Sequence, residues 1–473
     1  MNNKKYDYLA KNTLLFTISS FGSKLLSFFL VPLYTSFLTT EDYGTADLIS
    51  TLAQLLVFIF TANIAESVLR FAIDKKENPD EILRFGFRFA AVGSIILGVV
   101  ITVLWLLKLN LWNDYCYLLL FLLFVSVAFY NILSNYLRAI DKVADTAIAG
   151  ILLTAVLLVC NIILIVVFKA GVIGYIASMI TGNLIASVFC IIRIGFKNLM
   201  GKSCIRATQK AMLRYSIPLI FNGIAWWMNS SIDKFFIASM CGVAVNGVFA
   251  VAQKIPTLLT TIHQIFAQAW NLSAIKEFDK DDKDSFFANT YSMYNAMLVL
   301  MCSIVIFINV FLARVLFAKD FFVAWQSSSI LVLSVLFTAM SSFVGSVFTA
   351  VKNSKVFTIS TISAAIVNIT LNYLLIPRFG ACGGATATAV SFFVVWLIRL
   401  LFSRKYIKWK LDLKTDFLAY VLLVLQVVFE SMDGHMYIAQ LCIMVVLFVI
   451  YRKQVAIFAR KSLSIVKNIK NKI

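Results

Sequence analysis

Ala90-Ala-Val-Gly-Ser-Ile-Ile-Leu-Gly-Val-Val-Ile-Thr-Val-Leu-Trp-Leu-Leu107 is a long apolar run whose only hydroxyl side chains are Ser94 and Thr102. As a helix it is about 27 Å long at 1.5 Å per residue, close to the ~30 Å of a bilayer's hydrocarbon layer. A helix with no polar stripe on any side suits lipid on every side. Comparable runs recur along the whole 473-residue chain, which is 61% hydrophobic and 14% charged. Soluble proteins carry about 25% charged and 45–50% apolar residues. The expected fold class is therefore an all-α polytopic membrane protein.

Apolar runs and their polar breaks place about fourteen spans. They lie near 13–37, 45–66, 89–108, 115–136, 146–168, 172–192, 215–238, 242–268, 287–312, 324–350, 356–376, 381–402, 417–432 and 436–451. With the N-terminus inside, 34 of the 42 Lys and Arg fall in inward segments and 5 in outward ones. Such asymmetry is the mark of cytoplasmic loops. It places both termini in the cytoplasm and accounts for the formal charge of +19 as a topology signal. Nucleic-acid binding needs its cations gathered on one solvated face, which this distribution does not offer.

The eight cysteines form no CxxC pair, and His263 and His435 are far apart, so no metal or cofactor site is expected. The chain has no Walker A motif. The first apolar segment is too long for the core of a cleaved signal peptide.

The chain carries a weak internal repeat. Gly171-Val-Ile-Gly174 opens span 6 and Gly380-Ala-Cys-Gly383 opens span 12, 209 residues later. Each follows a span with interior asparagine, Asn161 in the first case and Asn368 and Asn372 in the second. Each leads to a basic residue at the inner end, Arg193 and Arg399. Parallel repeats of this kind are a common transporter plan. The expected domains are a six-span lobe over 1–200, a second over 201–410, and two further helices with a basic tail over 411–473.

Some spans carry polar seams. Span 7 bears Asn222, Trp226, Asn229 and Asp233 at spacings of four, three and four, which share one helical face. Span 8 bears Asn246, Gln253, Thr257, Thr260, Gln264 and Gln268, and span 2 bears Asp47, Thr51, Gln54 and Thr61. Span 1 bears Ser20, Ser23 and Ser27 beside Lys24. Spans 13 and 14, each with a single central glutamine (Gln426 and Gln440), read as peripheral.

Lys24 and Lys254 fall about 17 and 18 Å into their spans at the helical rise. A lysine there must face water, a counter-ion or substrate, and the pair suits a phosphate or diphosphate. Lys234 is adjacent to Asp233 and is expected to snorkel outward. Glu66 and Arg70, four apart, are spaced for an ion pair or a gate. Asp233 is the coupling candidate, and His263 is expected to be packed or hydrogen-bonded.

Arg214-Tyr-Ser-Ile-Pro-Leu-Ile-Phe-Asn-Gly-Ile-Ala-Trp-Trp-Met-Asn-Ser-Ser-Ile-Asp-Lys234, with Asn246-Gly-Val-Phe-Ala and Gln253-Lys-Ile-Pro256, resembles the polysaccharide transporter family. These are the Wzx-type O-antigen and capsule repeat-unit flippases of the multidrug/oligosaccharidyl-lipid/polysaccharide exporter superfamily. Pro32-Leu-Tyr, Tyr43-Gly-Thr-Ala-Asp47 and Trp270 fit the same pattern. The resemblance implies alternating access by two six-helix lobes in the bacterial plasma membrane and no enzymatic activity. Its implied partners are an undecaprenyl-diphosphate-linked oligosaccharide, membrane lipids, and the polysaccharide polymerase and chain-length proteins.

Related lipid II flippases carry several cavity arginines where this chain offers Lys24 and Lys254, which argues against lipid II as cargo. Their two extra C-terminal helices are associated with a lipid-tail groove, a role open to spans 13 and 14. A cation-coupled multidrug exporter is the alternative within the superfamily, although such cavities favour net acid. A membrane glycosyltransferase or polymerase needs catalytic acids on a sizeable exposed loop, and the outward loops here are short.

The topology is testable by labelling. Single cysteines at Lys169 and Arg378, in a cysteine-free background, are expected to react with an impermeant maleimide on intact cells. Cysteines at Lys202 and Lys405 are expected to react only after lysis.

Overall fold

The computed structural model describes residues 28–74, 78–107, 113–276, 278–279, 281–282, 285–351, 353–409 and 411–457. Among them helix is the only regular secondary structure, in two compact units, Met1–Ser231 and Ile232–Ile473. The expected seam of Ser20, Ser23, Lys24 and Ser27 lies outside the described residues.

The first unit holds α1 (Val31–Phe37), α2 (Thr40–Phe60), α3 (Ile64–Ile73), α4 (Pro79–Leu106) and α5 (Asp114–Ala139). It continues with α6 (Val143–Asn161), a π-helical stretch (Ile162–Val167), α7 (Gly171–Ile194) and the first part of α8 (Arg206–Cys241). Local chemistry starts these helices. Thr39 and Asp42 cap α2 reciprocally, with the Asp42 amide donating to Thr39 Oγ1 at 3.0 Å, which satisfies donors that have no intrahelical partner. Asn78 caps α4, with Pro79 at its first position and Asp80 and Glu81 in its first turn, where negative charge suits the helix dipole.

The second unit holds the rest of α8, then α9 (Val243–Ala252), α10 (Lys254–Lys276), α11 (Phe286–Leu316), α12 (Trp325–Ala350) and α13 (Ser354–Ser403). It ends with α14 (Leu413–Ser431) and α15 (Tyr437–Ile450). Its core is aromatic: Trp270 stacks on Phe343 at 4.2 Å between centroids, and its Nε1 donates to Ser346 Oγ at 2.8 Å.

Eight of the described helices are long and apolar enough to cross a membrane, or nine if α9 and α10 form one span. The chain is thus a multi-pass membrane protein. The sequence suggests fourteen spans; most of the first, 13–37, lies outside the described residues, and the 19-residue α14 is not among the eight. The 50-residue α13 counts once, yet Gly380 folds it into two arms. In α8, Asn222, Asn229, Asp233 and Lys234 dilute the apolar character. Helix α15 has 14 residues, too short for a full crossing. The run that opened the sequence reading lies in α4, where Ile95, Val99 and Leu106 are 67%, 59% and 65% exposed. Ser94 and Thr102 donate to the carbonyls of Ala90 and Gly98, so no polar group of that run is offered to lipid unpaired.

The internal repeat has a geometric meaning. Gly171 and Gly380 have φ of +53° and +54°, a region that residues with a side chain rarely enter and glycine enters freely. Three residues on, Gly174 and Gly383 each lie against a carbonyl of the preceding helical segment. A Cβ at Gly174 would stand 3.2 Å from the Leu164 oxygen, and one at Gly383 would stand 2.5 Å from the Leu375 oxygen. In both units the first glycine turns the chain and the second lets the arms approach.

Two expected spans are broken. Span 2 divides at Thr61–Asn63, where Ala62 and Asn63 have φ of +47° and +50°. The break is accommodated next door in α4, where a Cβ on Gly93 would sit 2.0 Å from the Phe60 oxygen. Span 8 bends by 42° between α9 and α10, with Gln253 closing one helix and Lys254 opening the next. Pro256 stands in the first turn of α10, where its missing N–H goes unneeded.

Spans 13 and 14 expose one apolar face, with Phe417 and Ile438 61% and 81% exposed, as a peripheral position requires, but their glutamines lie on the opposite, buried face. Gln426 and Gln440 are both fully buried, and α14 is hydrogen-bonded to α11 at three levels. Asn295 donates to Asp416 at 2.7 Å and accepts from Tyr420 at 2.8 Å. Ser303 donates to Gln426 at 2.8 Å. Asn309 donates to Glu430 at 2.8 Å, and Ser329 of α12 donates to the same carboxylate. The apolar periodicity missed this because each polar residue has its partner on a distant helix.

The Gly93 contact yields a test. Gly93→Ala forces a Cβ into the Phe60 carbonyl and is expected to destabilise the protein by about 1–3 kcal/mol. Gly98→Ala, whose Cβ would meet Phe121 at an ordinary 3.4 Å, is expected to be tolerated. Thermal unfolding of the two variants in detergent provides the comparison.

Candidate functional site

In the second unit two of the sequence-selected asparagines, Asn368 and Asn372, belong to a network that ends on Asp233 in α8. Its carboxylate is 1% exposed and accepts from the Thr388 hydroxyl at 3.0 Å and from the Lys234 amide at 3.0 Å. Thr388 Oγ1 also accepts from Asn368 at 3.5 Å, and Asn372 donates to Asn368 Oδ1 at 2.9 Å. The interior asparagines of the second repeat thus lead by way of Thr388 to the aspartate. Lys234 is 8% exposed, so it is held inside the protein and does not snorkel as expected.

Lys254 and Gln253 are half-buried at the bend between α9 and α10. The expected span 8 seam separates into different environments. Asn246 is fully buried. Thr257 and Thr260 donate to the carbonyls of Gln253 and Pro256, spending their hydroxyls on their own helix. Gln264 and Gln268 are exposed. His263 is packed as expected, its Nδ1 2.6 Å from the Tyr294 hydroxyl.

In the first unit the adjacent tryptophans have opposite fates. Trp227 is 7% exposed and donates to the Thr51 carbonyl at 3.0 Å, whereas Trp226 is 64% exposed. Asn229 is buried and donates to the Ala225 carbonyl at 3.0 Å. Asn222 lies in α8. Asn161, the first repeat's interior asparagine, donates to the Tyr34 hydroxyl at 2.8 Å. Tyr34 belongs to a ring triad with Tyr43 and Tyr175, at centroid distances of 5.0–5.9 Å. The two repeats therefore use their asparagines differently, around tyrosines in one unit and toward a carboxylate in the other.

Arg70 pairs with Asp74 at 3.8 Å in place of the expected Glu66. Glu66 instead lines a cavity of about 260 Å³ with Gln54, Thr61, Asn63, Asn131, Asn135 and Arg138. Its apolar wall is Val57, Phe58, Ala65, Val127 and Ala128. The broken span creates this pocket, because the turn at Thr61–Asn63 carries two of its lining residues. Arg138 donates to Asn135 Oδ1 at 2.5 Å. The sequence reading missed Asn131, Asn135 and Arg138, although spacings of four and three put them on one face of α5, the same signal that marked α8.

Comparisons with known proteins agree with this architecture. A family model described as polysaccharide biosynthesis protein matches residues 9–271. An uncharacterized membrane protein of Methanocaldococcus jannaschii is 22% identical over 429 residues, covering 84% of this chain and 99% of that one. Among solved structures, the lipid II flippase MurJ in an inward closed conformation is similar with a TM-score of 0.71 at 16% identity. That match covers 95% of this chain and 100% of the flippase. An inward-facing multidrug resistance transporter of the MATE family is similar with a TM-score of 0.64 at 14% identity, covering 81% and 94%. At these identities the structural likeness is one of fold. The family match spans more than half of the chain, and the chain belongs to the polysaccharide biosynthesis protein family, with the fold of the multidrug/oligosaccharidyl-lipid/polysaccharide exporter superfamily.

Proposed function

We propose that the protein is a flippase that carries an undecaprenyl-diphosphate-linked oligosaccharide from the cytoplasmic to the outer leaflet of a bacterial plasma membrane, by alternating access. The observation that carries this reading is Lys254. It combines a cation deep in an expected span with the start of a helix, at a 42° bend. A helix N-terminus is the positive end of the dipole, and broken transporter helices point such ends at anionic substrate groups. Lys24 supplies the second cation in this proposal. Trp226, Gln253, Gln264 and the α8 asparagines are assigned to the glycan.

Asp233 is assigned to coupling. It is a buried carboxylate held by a hydroxyl and an amide, and the carboxamides of Asn368 and Asn372 continue the network. The same carboxylate is the one observation that favours a cation-coupled multidrug exporter. The basic residues expected near the midplane favour an anionic cargo instead.

Removing either lysine is expected to weaken lipid diphosphate binding roughly tenfold to a hundredfold, the worth of a hydrogen bond to a charged group. Complementation of a flippase-null strain should fail for Lys24→Ala and Lys254→Ala and persist in part for Lys254→Arg. Full complementation by both alanine variants would refute the diphosphate assignment. Dye efflux that depends on Asp233 would favour the exporter.

A further inference from the structure

The cavity in the first unit has a lining unlike that of a phosphate site. Its lining holds one carboxylate, Glu66, and one guanidinium, Arg138, so its formal charge is zero and an anion gains little there. What remains is amide chemistry: Gln54, Asn63, Asn131 and Asn135 each offer a donor and an acceptor on one side chain. Among the described residues neither Glu66 nor Arg138 is ion-paired, and both are exposed along with Gln54, whereas Asn135 is 5% exposed. One wall is apolar and includes the Phe58 ring. A lining that combines paired donors and acceptors with an aromatic ring matches a sugar, whose edge carries hydroxyls and whose face is C–H.

The volume of about 260 Å³ sits just below the usual ~300–1,000 Å³ range of ligand pockets, which suits one ring and excludes a whole oligosaccharide. Polar groups gathered on helices that cross a membrane mark substrate paths, and two of the three helices that build this pocket, α2 and α5, are long and apolar enough to do so. It draws on α2, the start of α3, and one face of α5.

We propose that this cavity is a monosaccharide subsite, in which Gln54, Asn131 and Asn135 read the hydroxyls of one sugar of the lipid-linked cargo while Phe58 packs on its face. Arg138 orients Asn135 through its hydrogen bond to Oδ1. The subsite rests on the flippase reading, and it separates two tasks: the basic residues hold the diphosphate, and this pocket chooses the sugar.

The test compares three probes on purified full-length protein in nanodiscs: undecaprenyl diphosphate, the same lipid bearing N-acetylglucosamine, and the same lipid bearing galactose. The wild type is expected to bind at least one sugar-bearing lipid about tenfold more tightly than the bare lipid, the worth of one or two hydrogen bonds. Gln54→Ala and Asn131→Ala are expected to bring that ratio within about twofold and to leave bare-lipid affinity unchanged. Lys254→Ala should weaken binding of the bare and sugar-bearing lipids alike. Gln54 is exposed and Asn131 half-buried, so loss of fold is checked by thermal unfolding, and Asn131→Asp serves as a shape-preserving second variant. Discrimination that survives in the alanine variants overturns the subsite and leaves the flippase standing. So does a wild type that binds all three lipids equally. A wild type that binds none of them overturns the flippase reading, and the subsite with it.

Discussion

Within a bilayer every backbone donor and acceptor must find its partner inside the protein, and the architecture follows from that constraint. Helices satisfy it automatically, and each interruption needs a local remedy. At Gly171 and Gly380 the remedy is a residue without a side chain, followed by another that lets two arms meet. At Thr61–Asn63 it is a set of turn bonds, in which the amides of Ala62, Ile64 and Glu66 donate to the carbonyls of Ile59, Thr61 and Asn63. At the bend between α9 and α10 it is Pro256, which needs no partner for a nitrogen it does not protonate. The functional candidates gather at these interruptions: Lys254 at the bend, and Asn63 and Glu66 at the broken second span.

The two units meet the same constraint with different side chains. Both place asparagine in the helical segment before the glycine turn. In the first unit Asn161 reaches a tyrosine triad, and in the second Asn368 and Asn372 lead through Thr388 to Asp233. A duplicated scaffold can thus be kept by its glycines while its polar interiors diverge, one aromatic and one acidic. The acidic interior is the one to which the proposed coupling role is assigned.

Much of the fold was legible because glycine and hydrophobicity leave local marks. The GxxG pairs, 209 residues apart, announced the repeat, and the run in α4 announced a lipid-facing helix. The break at Thr61–Asn63 was not legible, since Thr-Ala-Asn contains neither glycine nor proline and the glycine that makes room for it is on another helix. The burial of Gln426 and Gln440 was hidden for a related reason: a lone amide in an apolar helix reads as incidental until its partner, as Ser303 is for Gln426, comes into view. Of the site, the α8 face was legible by spacing, but spacing could not tell Trp226 from Trp227 or say that Thr257 and Thr260 are occupied by their own helix. Asn131, Asn135 and Arg138 obeyed the same spacing, and Arg138 was set aside as one more inner-face charge.

The three-level contact between α11 and α14 also bears on how the chain assembles. Asn295, Ser303 and Asn309 are completed by Asp416, Gln426 and Glu430, each more than 100 residues later in the chain. During synthesis α11 enters the membrane well before α14 exists, so its carboxamides must wait, provisionally satisfied, for a late arrival. When α14 does arrive, its two carboxylates find donors already spaced to receive them. The C-terminal segment is thus tied into the polar interior of a helix that precedes it by more than 100 residues, and a chain cut before α14 would leave Asn295 and Ser303 without these partners.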